Sequence, residues 1–355
     1  MKEAVKCGLL LVALSLYWGI RSQGQPGMQL QPVREQEFVG HLEAGDYYRV
    51  CRLDSKGNLF LRTRKDVVQK IPVDGSDEYQ VNFRTQVQIP LGIHDMAVGL
   101  DDVLYVVGVD LAGTATVVYK ILPGENTPVL FEMITGVDPC RCAVATDLSL
   151  HIVSFETGWI NDVRDGRFDP RTVTFDHSTR SVLDVSVRRL SPNGRGHSGY
   201  APLRLPIDPH ELRSATRDLC DNLFAVDRDG GTHVLDAQSG SCHCYSVDGV
   251  ALGDAKLELN RSQNDGRTLV LQMVSLGGGY FAYNVVYVDS NNMVKSSDFV
   301  VAKHGTDNQR RIELKGNLEP YQLDAHPASD ELLQYWFIKD RILTQTYMIS
   351  DLVKE

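Results

Sequence analysis

Val50-Cys51-Arg52-Leu53-Asp54-Ser55-Lys56-Gly57-Asn58-Leu59-Phe60-Leu61 decides how this chain is read. An apolar stretch runs into Asp54, turns through Ser55, Lys56, Gly57 and Asn58, and opens a second apolar stretch. Asp, Asn and Gly tolerate turn dihedrals, and Asp also hydrogen-bonds the backbone just after it, so the segment predicts a hairpin. The same plan returns in Val106-Val107-Gly108-Val109-Asp110-Leu111-Ala112-Gly113, in Leu223-Phe224-Ala225-Val226-Asp227-Arg228-Asp229-Gly230-Gly231 and in Val285-Val286-Tyr287-Val288-Asp289-Ser290-Asn291-Asn292. Weaker copies lie at Asp165-Gly166 and Phe337-Ile338-Lys339-Asp340-Arg341. The aspartates Asp54, Asp110, Asp165, Asp227, Asp289 and Asp340 are 56, 55, 62, 62 and 51 residues apart.

The copies share more than the turn. Ile93 to Val107 reads as strand, hinge, strand ahead of the Asp110 turn. Cys142 to Val153, Leu269 to Tyr283 and Tyr321 to Phe337 follow the same plan, and Thr127 to Glu132 offers a fourth strand. β-branched and aromatic residues are dense in these runs, as a pleated, half-buried surface prefers. Four antiparallel strands form one blade, and six such units need a neighbour on each face, which a closed ring supplies. The expectation is an all-β propeller of six four-stranded blades over residues 46–355, with a sandwich or a pair of barrels as the competing architecture. One short helix is expected at Pro209 to Thr216, capped by Asp208.

The first residues read as a secretory signal. Lys2 and Lys6 precede a 13-residue uncharged run from Gly8 to Ile20, and small residues Ser22 and Gly24 follow. At ~1.5 Å per residue that run is too short for a ~30 Å hydrocarbon core. The expected division is a signal at 1–24, an arm at 25–45 and the propeller beyond. Removing Lys2, Lys6, Arg21 and Glu3 takes the net charge from −10 to −12. That balance argues against nucleic acid and anionic membrane surfaces as partners. The localisation expected is extracellular.

Outside the signal, which holds Cys7, there are six cysteines: Cys51, Cys140, Cys142, Cys220, Cys242 and Cys244. In a secreted chain an even number predicts three disulfides. Cys140-Arg141-Cys142 and Cys242-His243-Cys244 each place two sulfurs on one strand face, suited to bonds with neighbouring strands rather than with each other. The alternative at the second pair is a metal thiolate site with His243. Asn260-Arg261-Ser262 is a glycosylation sequon at Asn260.

Chemistry-bearing motifs are scarce. There is no Gly-x-Ser-x-Gly elbow, no His-Glu-x-x-His and no phosphate loop. Asp227-Arg228-Asp229-Gly230 opens like a calcium loop, but its twelfth position is Gln238. The repeated aspartates are therefore read as turn formers. The enzymatic route left is the mouth of the channel, where His94, Asp95, Asp324 and His326, with Asp218 and Asp221, could hold calcium or another metal and activate water. The stretch Arg188 to Pro202 reads as a long loop with a basic character, suited to an anionic partner or to cleavage after Arg188-Arg189.

Leu104 to Asp110 and Leu223 to Gly231 resemble blades of secreted six-bladed propellers. That group includes calcium-dependent lactonase-like enzymes, low-density-lipoprotein-receptor-type modules and NHL-repeat proteins. The receptor-type Tyr-Trp-Thr-Asp signature is missing, since Val106 and Val107 follow Tyr105. The leading functional expectation is a disulfide-stapled, non-catalytic glycoprotein that binds an extracellular protein or matrix component. The competing one is a calcium-dependent lactonase or esterase at the channel.

Overall fold

The computed structural model describes residues 28–39, 47–63, 65–76, 78–156, 181–194, 197–199, 203–207, 224–226, 230–236, 240–257, 267–288, 294–304, 306, 309–314, 322–326, 330–338 and 341–354. They form a six-bladed β-propeller. Blade 1 comprises Tyr47–Leu53, Leu59–Thr63, Val67–Ile71 and Tyr79–Asn82. Blade 2 comprises Leu91–Val98, Leu104–Asp110, Ala115–Ile121 and Val129–Thr135. Blade 3 is Val137–Val144, Leu150–Glu156 and the long Ser181–Leu190, which pairs with both His197–Gly199 and Leu203–Ile207. Blade 4 is Phe224–Val226, Thr232–Asp236, Ser241–Tyr245 and Ala251–Lys256. Blade 5 is Arg267–Gly277, Tyr280–Val288, Val294–Lys303 and Gln309–Leu314.

Blade 6 joins the two ends of the chain. Gln322–His326, Glu331–Ile338 and Arg341–Met348 come from the C-terminal side. Arg34–Val39 supplies the outermost strand, antiparallel to Arg341–Met348, in register from Arg34 opposite Thr346 to Val39 opposite Arg341. Met28–Leu30 adds a parallel strand to the edge of blade 5. The segment expected to be an arm therefore ties blades 5 and 6 together. Without it, Arg341–Met348 would present a row of unpaired backbone groups, which invites aggregation.

The core lies between blades rather than within one centre. Phe83, Leu91, Met96, Val106 and Tyr119 fill the seam of blades 1 and 2. Tyr105, Val107, Cys142, Ile152 and Leu190 fill the next. Val153, Phe224, Val234, Cys242, Phe281 and Tyr283 join blades 3, 4 and 5. Leu276, Phe299, Leu323 and Tyr347 join blades 5 and 6, and Phe38, Leu59, Leu61, Tyr335 and Ile342 close blade 6 on blade 1. Because each blade is covered on both faces, a strand such as Leu104–Asp110 is a continuous apolar run, buried at successive positions from Leu104 to Val109.

The Asp-turn plan needs one correction. Asp54 connects the first and second strands of its blade, whereas Asp110 connects the second and third strands of its own. The aspartates therefore do not occupy equivalent positions, and their near-constant spacing is not the blade period: blades 1 to 5 open at Tyr47, Leu91, Val137, Phe224 and Arg267. Asp54 and Asp110 do form turns: Asp54 accepts from the backbone N–H groups of Lys56 and Asn58, and Asp110 from those of Thr114 and Ala115. The Arg188 to Pro202 loop is also shorter than expected. Arg188 and Arg189 end the strand Ser181–Leu190, and Arg189 pairs with Asp147. The Pro209 to Thr216 helix, Asn260, Asp218, Asp221 and Cys220 lie outside the described residues.

Candidate functional site

The innermost strands carry charge toward the axis. Arg52 (blade 1), Asp95 (blade 2), Arg141 (blade 3) and Asp324 (blade 6) meet in one cluster. Arg52 Nη2 donates to Asp95 Oδ1 at 3.1 Å, and Arg52 Nε stands 3.7 Å from Asp324 Oδ2. Arg141 Nη1 reaches the same Asp95 oxygen at 3.4 Å. The backbone N–H of Cys142 donates to Asp95 Oδ2 at 3.0 Å. Arg52 Nη1 also donates to the Cys51 carbonyl at 2.9 Å. Two arginines and two aspartates balance one another, as buried charges must.

The cluster is enclosed at Arg52, Asp95 and Arg141, whereas the Asp324 side chain is 25% exposed. Arg52 is 8% exposed and Asp95 1%. Burial works against the Arg52 charge, but the carboxylates of Asp324 and Asp95 outweigh it and hold the guanidinium firmly protonated. The Cys51 thiol is pushed well up by burial, which the Arg52 charge only partly offsets. Burial and then the Asp95 charge push Cys142 up as well. Both thiols are neutral at pH 7, and only thiolates are nucleophilic.

The four residues picked out at the channel mouth part company. Asp95 and Asp324 do come together, through Arg52. Both Asp95 oxygens are already occupied by N–H donors. His94 sits at a bulge between Ile93 and Asp95, which turns its side chain outward to an exposed position. Its carbonyl accepts from Arg62 Nη1 at 3.0 Å. His326 ends the innermost strand of blade 6, and the structure does not describe its side chain. Arg52 and Arg141, absent from the sequence-level candidates, hold the cluster together. The available signal was a lone arginine inside an apolar strand, Val50-Cys51-Arg52-Leu53, which demands a buried carboxylate partner.

The seam between blades 5 and 6 has a polar tie of its own. The Gln272 side chain donates to the Leu323 carbonyl and accepts from the Leu323 N–H at 2.5 Å.

The cysteines also differ from expectation. Among the described residues Cys51, Cys142, Cys242 and Cys244 are buried, and no disulfide joins them to one another. Cys140 lies in a strand, but its side chain is not described. Cys242 and Cys244 share one strand face, as period two requires. That face is packed against His233 and Met273 and meets no further cysteine among the described residues: His233 Nδ1 stands 3.3 Å from Cys244 Sγ, and Cys242 Sγ stands 3.9 Å from Met273 Sδ. The expected metal partner His243 has the opposite parity and pairs with Asp254 Oδ1 at 2.8 Å on the other face. The hydrogen bond with Cys242 pulls the Cys244 thiol down, with His233 adding to it against burial.

A peripheral cleft of about 380 Å³ lies between blades 1 and 2. Asp54, Lys70, Tyr79, Asp102, Leu122 and Glu125 are among the residues that line it. Val73 and Leu122 on its wall are 50% and 42% exposed.

No protein-family model matches the chain, and no curated protein sequence matches it. Solved structures do. A hydrazine synthase of Kuenenia stuttgartiensis is 10% identical, with a TM-score of 0.50 over 89% of this chain and 77% of that one. A virginiamycin B lyase of Staphylococcus aureus is 9% identical, with a TM-score of 0.47 over 89% and 100%. A calcium-binding regucalcin of Agrobacterium tumefaciens is 9% identical, with a TM-score of 0.47 over 91% and 95%. At such identities the likeness concerns the fold and nothing finer.

Proposed function

We propose that this protein is a secreted, non-catalytic propeller that binds an extracellular protein or matrix component through the cleft between blades 1 and 2. The supporting observation is the use made of the axial carboxylates. A metal-dependent hydrolase needs carboxylate oxygens aimed at an ion or a water. Here Asp95 gives both oxygens to Arg52, Arg141 and the Cys142 N–H, and Asp324 faces the same guanidinium. Freeing them would leave buried arginines without counter-charge, at several kcal/mol.

The cleft offers what a polypeptide partner needs. Exposed Val73 and Leu122 supply apolar contact, and Lys56, Lys70, Asp74 and Glu125 surround them with both signs of charge. Apolar centres with polar rims are the usual anatomy of protein interfaces. Secretion and glycosylation at Asn260 belong to the same reading and rest on the leader and the sequon.

The test has two arms. Wild-type protein is assayed on a panel of esters and lactones with and without calcium, and its saturable binding to an extracellular-matrix extract is measured. The reading expects no turnover, and binding lost in L122D and V73D but kept in L252D on blade 4. Calcium-dependent hydrolysis that disappears in D324N would overturn it and restore the calcium-dependent hydrolase.

A further inference from the structure

His233, Cys242 and Cys244 form a compact group of three ligand atoms, all within 4.8 Å of one another. The topology of blade 4 produces it directly. Thr232–Asp236 and Ser241–Tyr245 are antiparallel, with His233 opposite Cys244. Directly opposed residues bring their Cβ atoms to about 4.5–5.5 Å. Cys242 is two residues from Cys244 and shares its face. One cross-strand pair and one period-two step thus place a nitrogen and two sulfurs on the same spot.

The distances suit one ion. Zinc takes sulfur at ~2.3 Å and imidazole nitrogen at ~2.0 Å, so ligands on a tetrahedral ion stand roughly 3.5 Å apart. His233 Nδ1 and Cys244 Sγ are already 3.3 Å apart. All three residues are buried, so the site is shielded from water and from competing hard cations. Blade 5 closes the remaining side. Met273 Sδ lies 3.9 Å from Cys242 Sγ. The His304 ring meets the His233 ring edge-on at 6.5 Å between centroids, and its Nδ1 is buried with no hydrogen-bond partner among the described residues.

We propose that His233, Cys242 and Cys244 bind a soft, thiolate-preferring metal ion, zinc or cuprous copper, at the seam between blades 4 and 5. Two thiolates and an imidazole select such ions over calcium or magnesium, which take oxygen ligands. For zinc, the fourth donor would be His304, which lies outside the three-atom group and would have to swing in from a ring-to-ring distance of 6.5 Å. Met273 is the fourth donor for cuprous copper, because a thioether is a soft ligand. The ion would cross-link two blades where Gln272 and the Arg52 cluster do not reach. The site is separate from the channel and the peripheral cleft, and it stands whether or not the protein binds an extracellular partner.

The test uses the full chain as secreted by cells grown with zinc and copper. Metal content is read by mass spectrometry after gel filtration without chelator, and stripped protein is titrated with Co²⁺. The expected result is one equivalent of zinc or copper per chain, a thiolate-to-cobalt charge-transfer band, and a higher thermal midpoint on adding the native metal. C244S and H233Q should lose the metal and the band, whereas C51S should keep both. The metal identified separates the arms: zinc should be weakened by H304Q, copper by M273L. Should a variant fail to fold, the wild-type stoichiometry and cobalt spectrum still decide. Wild-type protein without stoichiometric metal and without the band would overturn the proposal. So would non-reducing peptide mapping that finds Cys242 or Cys244 in a disulfide, for instance with Cys220.

Discussion

Arg52 reaches across the seam between blades 1 and 2 to Asp95 at 3.1 Å, and Asp95 is 99% withdrawn from solvent in making that contact. The pair links consecutive innermost strands, and through Arg141 and the Cys142 N–H it links a third. Removing the negative charge leaves two arginines dependent on Asp324. D95N should therefore destabilise the fold by about 3–5 kcal/mol, the range for breaking a buried pair on one side. Urea unfolding followed by tryptophan fluorescence measures it. A midpoint within experimental scatter of wild type would show that the cluster is not holding the blades.

Phe38 closes the ring. Its side chain is buried among Leu333, Tyr335 and Ile342, although it arrives from the opposite end of the chain. F38A should cost about 3–5 kcal/mol, as for other enclosed phenylalanines. It should also promote self-association, because a loosened outer strand exposes the Arg341–Met348 edge. Thermal unfolding and light scattering should show both effects together.

Gly108 and Gly92 make a paired test of close backbone approach. A Cβ on Gly108 would lie 2.2 Å from the Gly92 carbonyl oxygen and 2.6 Å from Leu91 Cδ1. A Cβ on Gly92 would meet nothing within 4 Å. G108A should lose about 1–3 kcal/mol or more, the cost of overpacking against atoms that cannot move aside. G92A should be close to neutral. Equal behaviour of the two would contradict this packing.

Asp110 sets an acid limit on the blade 2 hairpin. Burial disfavours its charge, but the Thr114 hydroxyl and the N–H groups of Ala115 and Thr114 outweigh that and lower its pKa below the ordinary carboxylate value. The folded state then binds fewer protons than the unfolded chain. The stabilisation is present above the unfolded pKa and is lost as pH falls through the folded one. D110A should cost about 1 kcal/mol at neutral pH, on the scale of a turn hydrogen bond. The gap between D110A and wild type should close in acid below the ordinary carboxylate range. A gap that persists unchanged there would mean the charge is not what holds the turn.

Blade architecture was legible because hairpin turns and apolar strands are local events. The stretches around Asp54 and Asp110 show their turns in three or four residues. Blade phase was not legible, since the same Asp turn serves two different strand junctions. Asp95 and Asp324 could be singled out as ionisable groups at inner strand ends. Their partner Arg52 could not be assigned, because it lies 43 residues from Asp95 in sequence, on the next blade. His243 was the sequence neighbour of two cysteines, yet strand parity sends it to the opposite face and brings His233 instead.

The sequence by itself determined the local units: strands from apolar density and turns from Asp and Gly. It also set the parity that puts Cys242 and Cys244 on one face. Only the tertiary structure decided which blades meet, that Arg34–Val39 completes the last of them, and that buried carboxylates answer to arginines. The physical reason is range. Backbone dihedrals and side-chain alternation act over a few residues. The pairing of buried charges and donor atoms depends on the closure of the whole ring, which brings together residues dozens to hundreds of positions apart.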